Sequence, residues 1–143
     1  MVGSDGIRKI QGVENVKQIE KLTELYRQAT ELDEELLGDL IKKLSYYGRI
    51  LELLGGVHAA ALTDWKLAES NRREAIATTF ENFDGSVAER TNKAESSSSL
   101  QRREEAKAEG EAMRWKNAYN STLEQIQIMK LRLRDMKDVM NGG

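Results

Sequence analysis

The chain of 143 residues contains no cysteine and no proline, and only 6% of its residues are aromatic. Without cysteine it forms no disulfide and no zinc ribbon, and it has no thiol nucleophile. Without proline it has no ring that would break a helix from within. Charged residues make up 32% of the chain, and abundant Ala, Glu, Lys, Leu and Arg without proline are typical of long helices. The composition therefore predicts an all-α protein.

The sequence also lacks a strong net charge and long apolar runs. Its net charge is −2, with 8 basic and 11 acidic side chains in residues 1–65 and 14 and 13 in residues 66–143. Neither half is basic enough to predict nucleic-acid binding from charge alone. No run approaches the roughly 18 apolar residues that span a bilayer, and the first residues lack the apolar core of a signal peptide. We therefore expect a cytoplasmic protein that does not contact a membrane.

The strongest interruption in the middle of the chain is the segment 82–89. Asp84-Gly85 is a turn signal, because glycine reaches the positive φ that ends many helices. Ser86 with Glu89 three residues later forms a capping box, which marks the start of a new helix. The segment predicts the turn of a helical hairpin, followed by a helix that ends near Met140.

The apolar residues on the two sides of this turn support the hairpin. Residues whose numbers sum to about 170, twice the position of Gly85, should face each other across an αα-hairpin. Apolar residues then meet along the whole open end, in pairs such as Leu44 with Ile126 and Leu37 with Leu133. The predicted fold is a long, coiled-coil-like antiparallel hairpin, with an N-terminal helix of residues 14–31 packed on its open end.

Three places within these helices are weak points. A short turn is expected near Leu32–Asp33, between the first apolar stripe and the second, and the alternative is one long helix that carries both stripes. Gly55-Gly56 either ends a helix or lies inside a continuous one where a neighbouring backbone or a Trp ring comes very close. The serine run 96–99 has low helix propensity and either bends the last helix or frays within it.

The predicted domain organisation is a flexible arm followed by one helical domain. The arm is residues 1–12, which contain three glycines, and the domain is residues 13–143. Within the domain, residues 13–65 and 107–140 form the base of a bundle, and residues 66–106 form a protruding hairpin arm rich in charge. Two polar helices bury little apolar area, so the arm is expected to pair with another copy or with a different protein.

Two arginine pairs in the arm are the candidate binding residues. Arg72-Arg73 and Arg102-Arg103 lie on opposite sides of the predicted hairpin, within about one helical turn of each other. Guanidinium groups make forked contacts to phosphates and carboxylates, so the four side chains form a candidate site for an anion or an acidic partner. The alternative is that neighbouring glutamates neutralise them in ion pairs across the hairpin.

Aromatic and methionine residues near the C-terminus form a candidate packing or oligomer seam, namely Trp115, Tyr119, Met129 and Met136. Trp115 and Tyr119 are one turn apart and are expected to anchor the core of the bundle. The alternative for the two rings is an exposed platform on which bases stack. The methionines are expected to pack in the core or between copies of the chain.

No catalytic grouping is apparent in the sequence. The single histidine, His58, has no cysteine or second histidine with which to bind a metal. Pairs such as Glu104-Glu105 have Lys or Arg at helical spacing, which is typical of solvated helix faces. There is no glycine-rich phosphate loop. We therefore expect no metal, no cofactor and no enzymatic activity.

The run from Glu105 to Tyr119, followed by Leu123 to Met136, resembles small helical proteins encoded in early or accessory regions of phages and prophages of Gram-positive bacteria. The resemblance implies a non-enzymatic protein that binds and modulates a host or phage component of replication, recombination or defence. The leading expectation is thus a protein-interaction module, such as an inhibitor, that forms oligomers. The alternatives are a nucleic-acid-binding accessory protein and a structural or scaffold coiled coil.

Overall fold

The computed structural model describes the backbone of residues 4–142 and the side chains of residues 15–142. This part of the chain contains no strand. Its four helices are α1 (Ser4–Thr30), α2 (Leu37–Asn82), α3 (Val87–Ser97) and α4 (Ser99–Met140). α2 packs against α4, and α1 packs on α2. The predicted all-α helical hairpin with an added N-terminal helix is therefore confirmed.

The turn between α1 and α2 lies at residues 31–36, where the sequence predicted it. The backbone N–H of Asp33 donates to Asp39 Oδ2 at 3.0 Å, and the Asp33 carboxylate accepts from the backbone N–H of Glu35 at 2.9 Å. Leu36 N–H donates to the Asp33 carbonyl at 3.1 Å. The Asp33 side chain thus fixes the turn itself, and α2 begins four residues later.

The N-terminal segment differs from its prediction. α1 begins at Ser4, so its backbone is helical over most of the segment for which an arm without regular structure was expected. Glycine costs a helix only about 1 kcal/mol relative to alanine and does not break it as proline does. The first three residues of the predicted arm lie outside the described part.

Gly55 and Gly56 lie inside α2, which continues through both. A Cβ placed on Gly55 would lie 3.6 Å from ring carbon Cε2 of Tyr119, an ordinary van der Waals distance. A Cβ on Gly56 would meet nothing within 4 Å. The expectation of a continuous helix with a ring close to one glycine therefore holds, although the ring belongs to a tyrosine.

Buried and half-buried side chains on α3 and α4 recur at alternating spacings of three and four residues, the repeat of a coiled coil. The series is Ala94, Ser98, Gln101, Glu105, Ala108, Ala112, Trp115, Tyr119, Thr122, Ile126, Met129, Leu133 and Met136. All of the residues named in this series are buried or half-buried. α3 and α4 therefore each pack through one narrow face.

α2 carries two series of this kind. The first is Leu37, Leu40, Leu44, Tyr47, Leu51, Leu54, His58, Ala61, Trp65, Ala68, Arg72, Ala75 and Thr79. The second is shorter and comprises Lys43, Tyr46, Ile50, Leu53, Val57 and Ala60. Two buried faces are expected for a helix that packs against two others, as α2 does with α1 and α4.

The chain divides into two compact units. Unit 1 comprises residues 1–57 and 116–143, and unit 2 comprises residues 58–115. The predicted base and arm had their boundaries elsewhere, after residue 65 and before residue 107.

Unit 1 has a core of large apolar side chains from three helices. Its buried side chains are Leu22, Leu25, Ala29, Leu40, Ile50, Leu54, Val57, Ile126 and Met129, together with Thr122. The Tyr26 hydroxyl lies 3.3 Å from Thr122 Oγ1, and its ring meets the Tyr47 ring edge-on with centroids 6.2 Å apart. Tyr26 on α1 thus contacts both α4 and α2.

Unit 2 contains the predicted turn at Asp84-Gly85. Gly85 has a φ of +150°, which L side chains rarely adopt. Ser86 Oγ accepts a hydrogen bond from the Glu89 backbone N–H at 3.2 Å, and the Glu89 carboxylate accepts one from the Ser86 N–H at 3.3 Å. The capping box is confirmed, and α3 begins immediately after it.

The serine run interrupts the helix after the turn. Ser98 has φ −96° and ψ 13°, and its hydroxyl donates to the Glu95 carbonyl at 3.0 Å. Such a local bond competes with the helical pattern, and α3 and α4 are separated at this residue. Ser98 is completely buried, so the interruption belongs to the packed face.

We expect Ser86→Ala to lower the free energy of unfolding by about 1 kcal/mol, because the Glu89 N–H loses its acceptor. Urea unfolding followed by circular dichroism measures this change. The matched control is Ser96→Ala, because the exposed Ser96 hydroxyl donates only to the Lys93 carbonyl within its own helix. An equal loss in the two variants would contradict a specific role for the capping box.

Candidate functional site

Three of the four arginines predicted to bind an anion or a partner lie in ion pairs within unit 2. Arg72 Nε donates to the carboxylate of Glu105, and both side chains are largely shielded from solvent, at 26% and 19% exposure. This pair links α2 to α4. The Arg72 charge is therefore directed into the hairpin and away from a phosphate outside it.

The remaining arginines are more exposed. Arg73 pairs with Glu69 at 2.7 Å on α2, and Arg102 lies 3.8 Å from Glu95. Arg103 is exposed and makes no ion pair with any side chain of residues 15–142. The structure thus brings together an arginine and a glutamate from opposite sides of the hairpin, which for Arg72 is the ion pair that the sequence offered as the alternative to an anion site. A binding role for Arg72, Arg73, Arg102 and Arg103 stays a prediction.

The residues predicted as a packing or oligomer seam are partly or fully covered. Met129 is 5% exposed in a cluster with Leu40 and Ile126, and Met136 packs against that cluster. Tyr119 is half-buried in unit 1. Met129 consequently offers almost no surface to a second chain.

Trp115 belongs to unit 2, where its ring is half-buried. The Arg114 guanidinium carbon lies 5.2 Å from the ring centroid, within the range of a cation–π contact. A contact of this kind covers part of the face on which a base would stack. The oligomer seam and the stacking platform both stay predictions.

An ion cluster in unit 1 joins the α1–α2 turn to both long helices. The Glu34 carboxylate is 3.0 Å from Lys43 Nζ and also pairs with Arg132 of α4. The hydrogen bond from Lys43 lowers the pKa of the Glu34 carboxyl, partial burial opposes this shift, and the charges of Lys43 and Arg132 reinforce it. Glu34 thus holds its negative charge to lower pH than an isolated glutamate does.

We expect this cluster to make stability depend on pH. Because the pKa of Glu34 is lowered in the folded state, its contribution is fully present above the ordinary value of 4.5 and is lost as the pH falls through the lowered pKa. Glu34→Gln should therefore cost about 0.5–1 kcal/mol at neutral pH and progressively less towards pH 3. Urea unfolding at several pH values measures the difference. A constant cost across this range, or the same cost for the exposed neighbour in Glu35→Gln, would contradict it.

Unit 1 has a groove between α1 and α2. Its volume is about 890 Å³. Its lining residues are Lys17, Gln18, Glu20, Lys21, Glu24, Leu25, Gln28, Arg49, Glu52, Leu53 and Gly56. Leu25 and Leu53 supply apolar surface, and the absent side chain of Gly56 leaves open space beside α2. A volume of this order with some apolar lining is suited to side chains of another molecule.

The charges along this groove have both signs. The cations Lys17, Lys21 and Arg49 form no ion pair with another described side chain, whereas Glu24 pairs with Arg27 at 2.6 Å. Glu20 lies between Lys17 and Lys21 in sequence, and Glu52 lies one helical turn after Arg49. The groove is thus lined by charges of both signs together with apolar side chains, with no large field of one sign.

A second, smaller groove lies in unit 2. Its volume is about 470 Å³, and it is lined by Asn71, Glu74, Ala75, Thr78, Thr79, Ser97, Gln101 and Glu104. Ser97 Oγ lies 3.3 Å from Thr79 Oγ1 in this groove. The Gln101 Oε1 atom is buried and has no hydrogen-bond partner. Its lining contains no cation, and its polar groups are two carboxylates, two side-chain amides and three hydroxyl groups.

His58 is half-buried on α2, and no group of three or more metal-ligating side chains occurs within the described part of the chain. None of the helices, over the residues described, has a stretch long and apolar enough to cross a membrane.

No protein-family model, curated protein or solved structure matches the chain.

The polar members of the packed face are the feature that sequence reasoning missed. The three-and-four series of the packed helices include the polar residues Arg72, Ser98, Gln101 and Glu105, whereas the apolar stripes predicted from the sequence contain apolar residues alone. The sequence did contain a signal for their burial, because the spacing of three and four residues continues through these polar positions without a break. The groove between α1 and α2 left no signal, since it depends on how two helices lie against each other.

Proposed function

We propose that this chain is a non-enzymatic helical protein-interaction module and that the groove between α1 and α2 in unit 1 receives a helix of a partner protein. The observation that carries the proposal is the groove itself, which is lined by Leu25 and Leu53 and by charged side chains of both helices. An amphipathic helix binds such a groove by burying its apolar face and placing its polar side chains at the rim.

The charges of the groove indicate the chemistry of this helix. Lys17, Lys21 and Arg49 call for acidic side chains on the partner, and Glu20 and Glu52 call for basic ones. The partner is therefore an amphipathic helix with charges of both signs. The open space at Gly56 admits a larger apolar side chain of that helix.

The phage-related part of the proposal rests on the resemblance of residues 105–136 to accessory-region proteins. On that basis the partner is a host or phage protein of replication, recombination or defence, and the chain modulates it in the cytoplasm.

Self-association also belongs to the proposal. Light scattering over a range of concentrations tests it, and a monomer at every concentration would remove it.

Site-specific photo-crosslinking tests the groove. A benzoylphenylalanine at position 21 or 52 should form adducts with one partner, in cells that express the chain naturally, and the adducts should map to an amphipathic helix of that partner. The controls are positions 42 and 124, which are exposed in the same unit and do not line the groove. Adducts from the controls but none from the groove would contradict the proposal.

A further inference from the structure

The packed face of unit 2 consists mainly of small side chains. Its buried members are Ala61, Ala94, Ser98 and Ala112, and its half-buried members include Ala68, Ala75 and Ala108. Each buried methyl group removes little apolar surface from water, whereas a buried Leu or Ile contributes about 1.5–3 kcal/mol. Unit 2 has no fully buried Leu, Ile or Val, and its larger side chains Trp65 and Trp115 are only half-buried, so it has less hydrophobic stabilisation than the core of unit 1.

Polar groups on the same face reduce its stability further. The buried Gln101 Oε1 atom has no hydrogen-bond partner, and an unsatisfied buried acceptor costs about 1–3 kcal/mol. The Arg72–Glu105 pair must lose much of its hydration to form, and the ion pair offsets that loss only in part. One position of the α2 series, Arg72, and two successive positions of the α3–α4 series, Gln101 and Glu105, are therefore occupied by groups that are better hydrated when the hairpin opens.

We infer that unit 2 is a conformational device: it opens as a separate cooperative element while unit 1 stays folded, and Arg72, Gln101 and Glu105 set the equilibrium of this opening. Proteins open in such sub-global units, and those with few buried apolar contacts open first. The open form releases Arg72 from Glu105 and exposes the alanine-rich faces of both helices. The inference concerns this chain alone and does not depend on the proposed function.

Native-state hydrogen exchange at low urea concentrations tests the separate opening. In the unmodified protein, the slowest amides of residues 61–112 should exchange at least about tenfold faster than the slowest amides of residues 40–57 and 119–133. They should also share one dependence on urea, as expected for a cooperative unit. Equal rates in the two units would overturn the inference.

Variants test whether the polar residues set the equilibrium. Gln101→Leu should slow exchange in unit 2 about tenfold, because it removes the unsatisfied acceptor, and should leave unit 1 unchanged. The control is Gln125→Leu, at an exposed glutamine of α4, and should change neither unit by more than about twofold. No change in Gln101→Leu would overturn the role of this residue.

The ion pair is tested by a single and a double variant. Arg72→Met should speed exchange in unit 2, because Glu105 is left shielded and without its partner. Adding Glu105→Leu should restore slow exchange to the unmodified rate or below it, since no uncompensated charge remains. If the double variant opened as fast as Arg72→Met alone, the Arg72–Glu105 ion pair would be stabilising the closed form of unit 2. That result would overturn the inference.

Discussion

Leu54→Ala is expected to lower the free energy of unfolding by about 3 kcal/mol. Leu54 is 1% exposed in the core of unit 1, and its side chain lies on the face of α2 that carries the three-and-four series. Truncation removes three carbon atoms from this core and leaves a cavity that the rigid helices fill only in part. Urea unfolding followed by circular dichroism at 222 nm, the usual helix band, measures the loss.

The matched control for this prediction is Leu131→Ala. Leu131 is 52% exposed on α4, so its truncation should change the free energy of unfolding by no more than about 0.5 kcal/mol. Similar losses in the two variants would contradict the assignment of Leu54 to the core. A small loss in both would mean that α2 does not bury this face.

Ala112→Leu should lower the free energy of unfolding by about 2 kcal/mol, for the opposite reason. Ala112 is 2% exposed in unit 2, on the packed face, where Ala108 and Trp115 are its neighbours in the series. Because Ala112 is almost completely covered, a leucine side chain at this position must push its neighbours apart. Thermal and urea unfolding both measure the effect.

Ala106→Leu is the control, because Ala106 is an exposed alanine on the same helix. The change there should stay within about 0.5 kcal/mol, since leucine and alanine have similar helix propensities. If Ala112→Leu were as stable as the control, the helices of unit 2 would not be packed closely at this position. If it were more stable than the unmodified chain, unit 2 would contain space that the structure does not show.

The parts of the fold that the sequence predicted are those encoded locally. The turn at Asp84-Gly85 follows from a glycine with positive φ and a capping box within a few residues, and both are present. The pairing of α2 with α4 follows from this turn, because two amphipathic helices joined by a short connection pack antiparallel. Asp33 is another local signal, and its side chain organises the turn between α1 and α2.

The parts that could not be predicted depend on contacts between distant residues. Glu34 and Arg132 are 98 positions apart, and only the folded chain shows that they form an ion pair. In the candidate site, ion pairs across the hairpin were one of the two expectations for the arginines, but the sequence did not show which glutamate each would meet, as Arg72 meets Glu105. The helical spacing allows these side chains to face either the solvent or the opposite helix. Only the packing between the helices selects one of the two orientations.

The hairpin requires that the chain turns at Gly85 and that its two sides pack antiparallel in one register. Disulfide formation in Thr79→Cys/Ser97→Cys tests it most directly, because the two hydroxyl oxygens lie 3.3 Å apart and the chain has no cysteine of its own. Under mild oxidation, this double variant should form an intramolecular disulfide rapidly and almost completely, as judged by non-reducing electrophoresis and mass spectrometry. Thr78→Cys/Ser96→Cys, at two exposed neighbouring positions, should stay largely reduced. Oxidation of the second pair in preference to the first, or only intermolecular disulfides in both, would contradict the register and with it the hairpin.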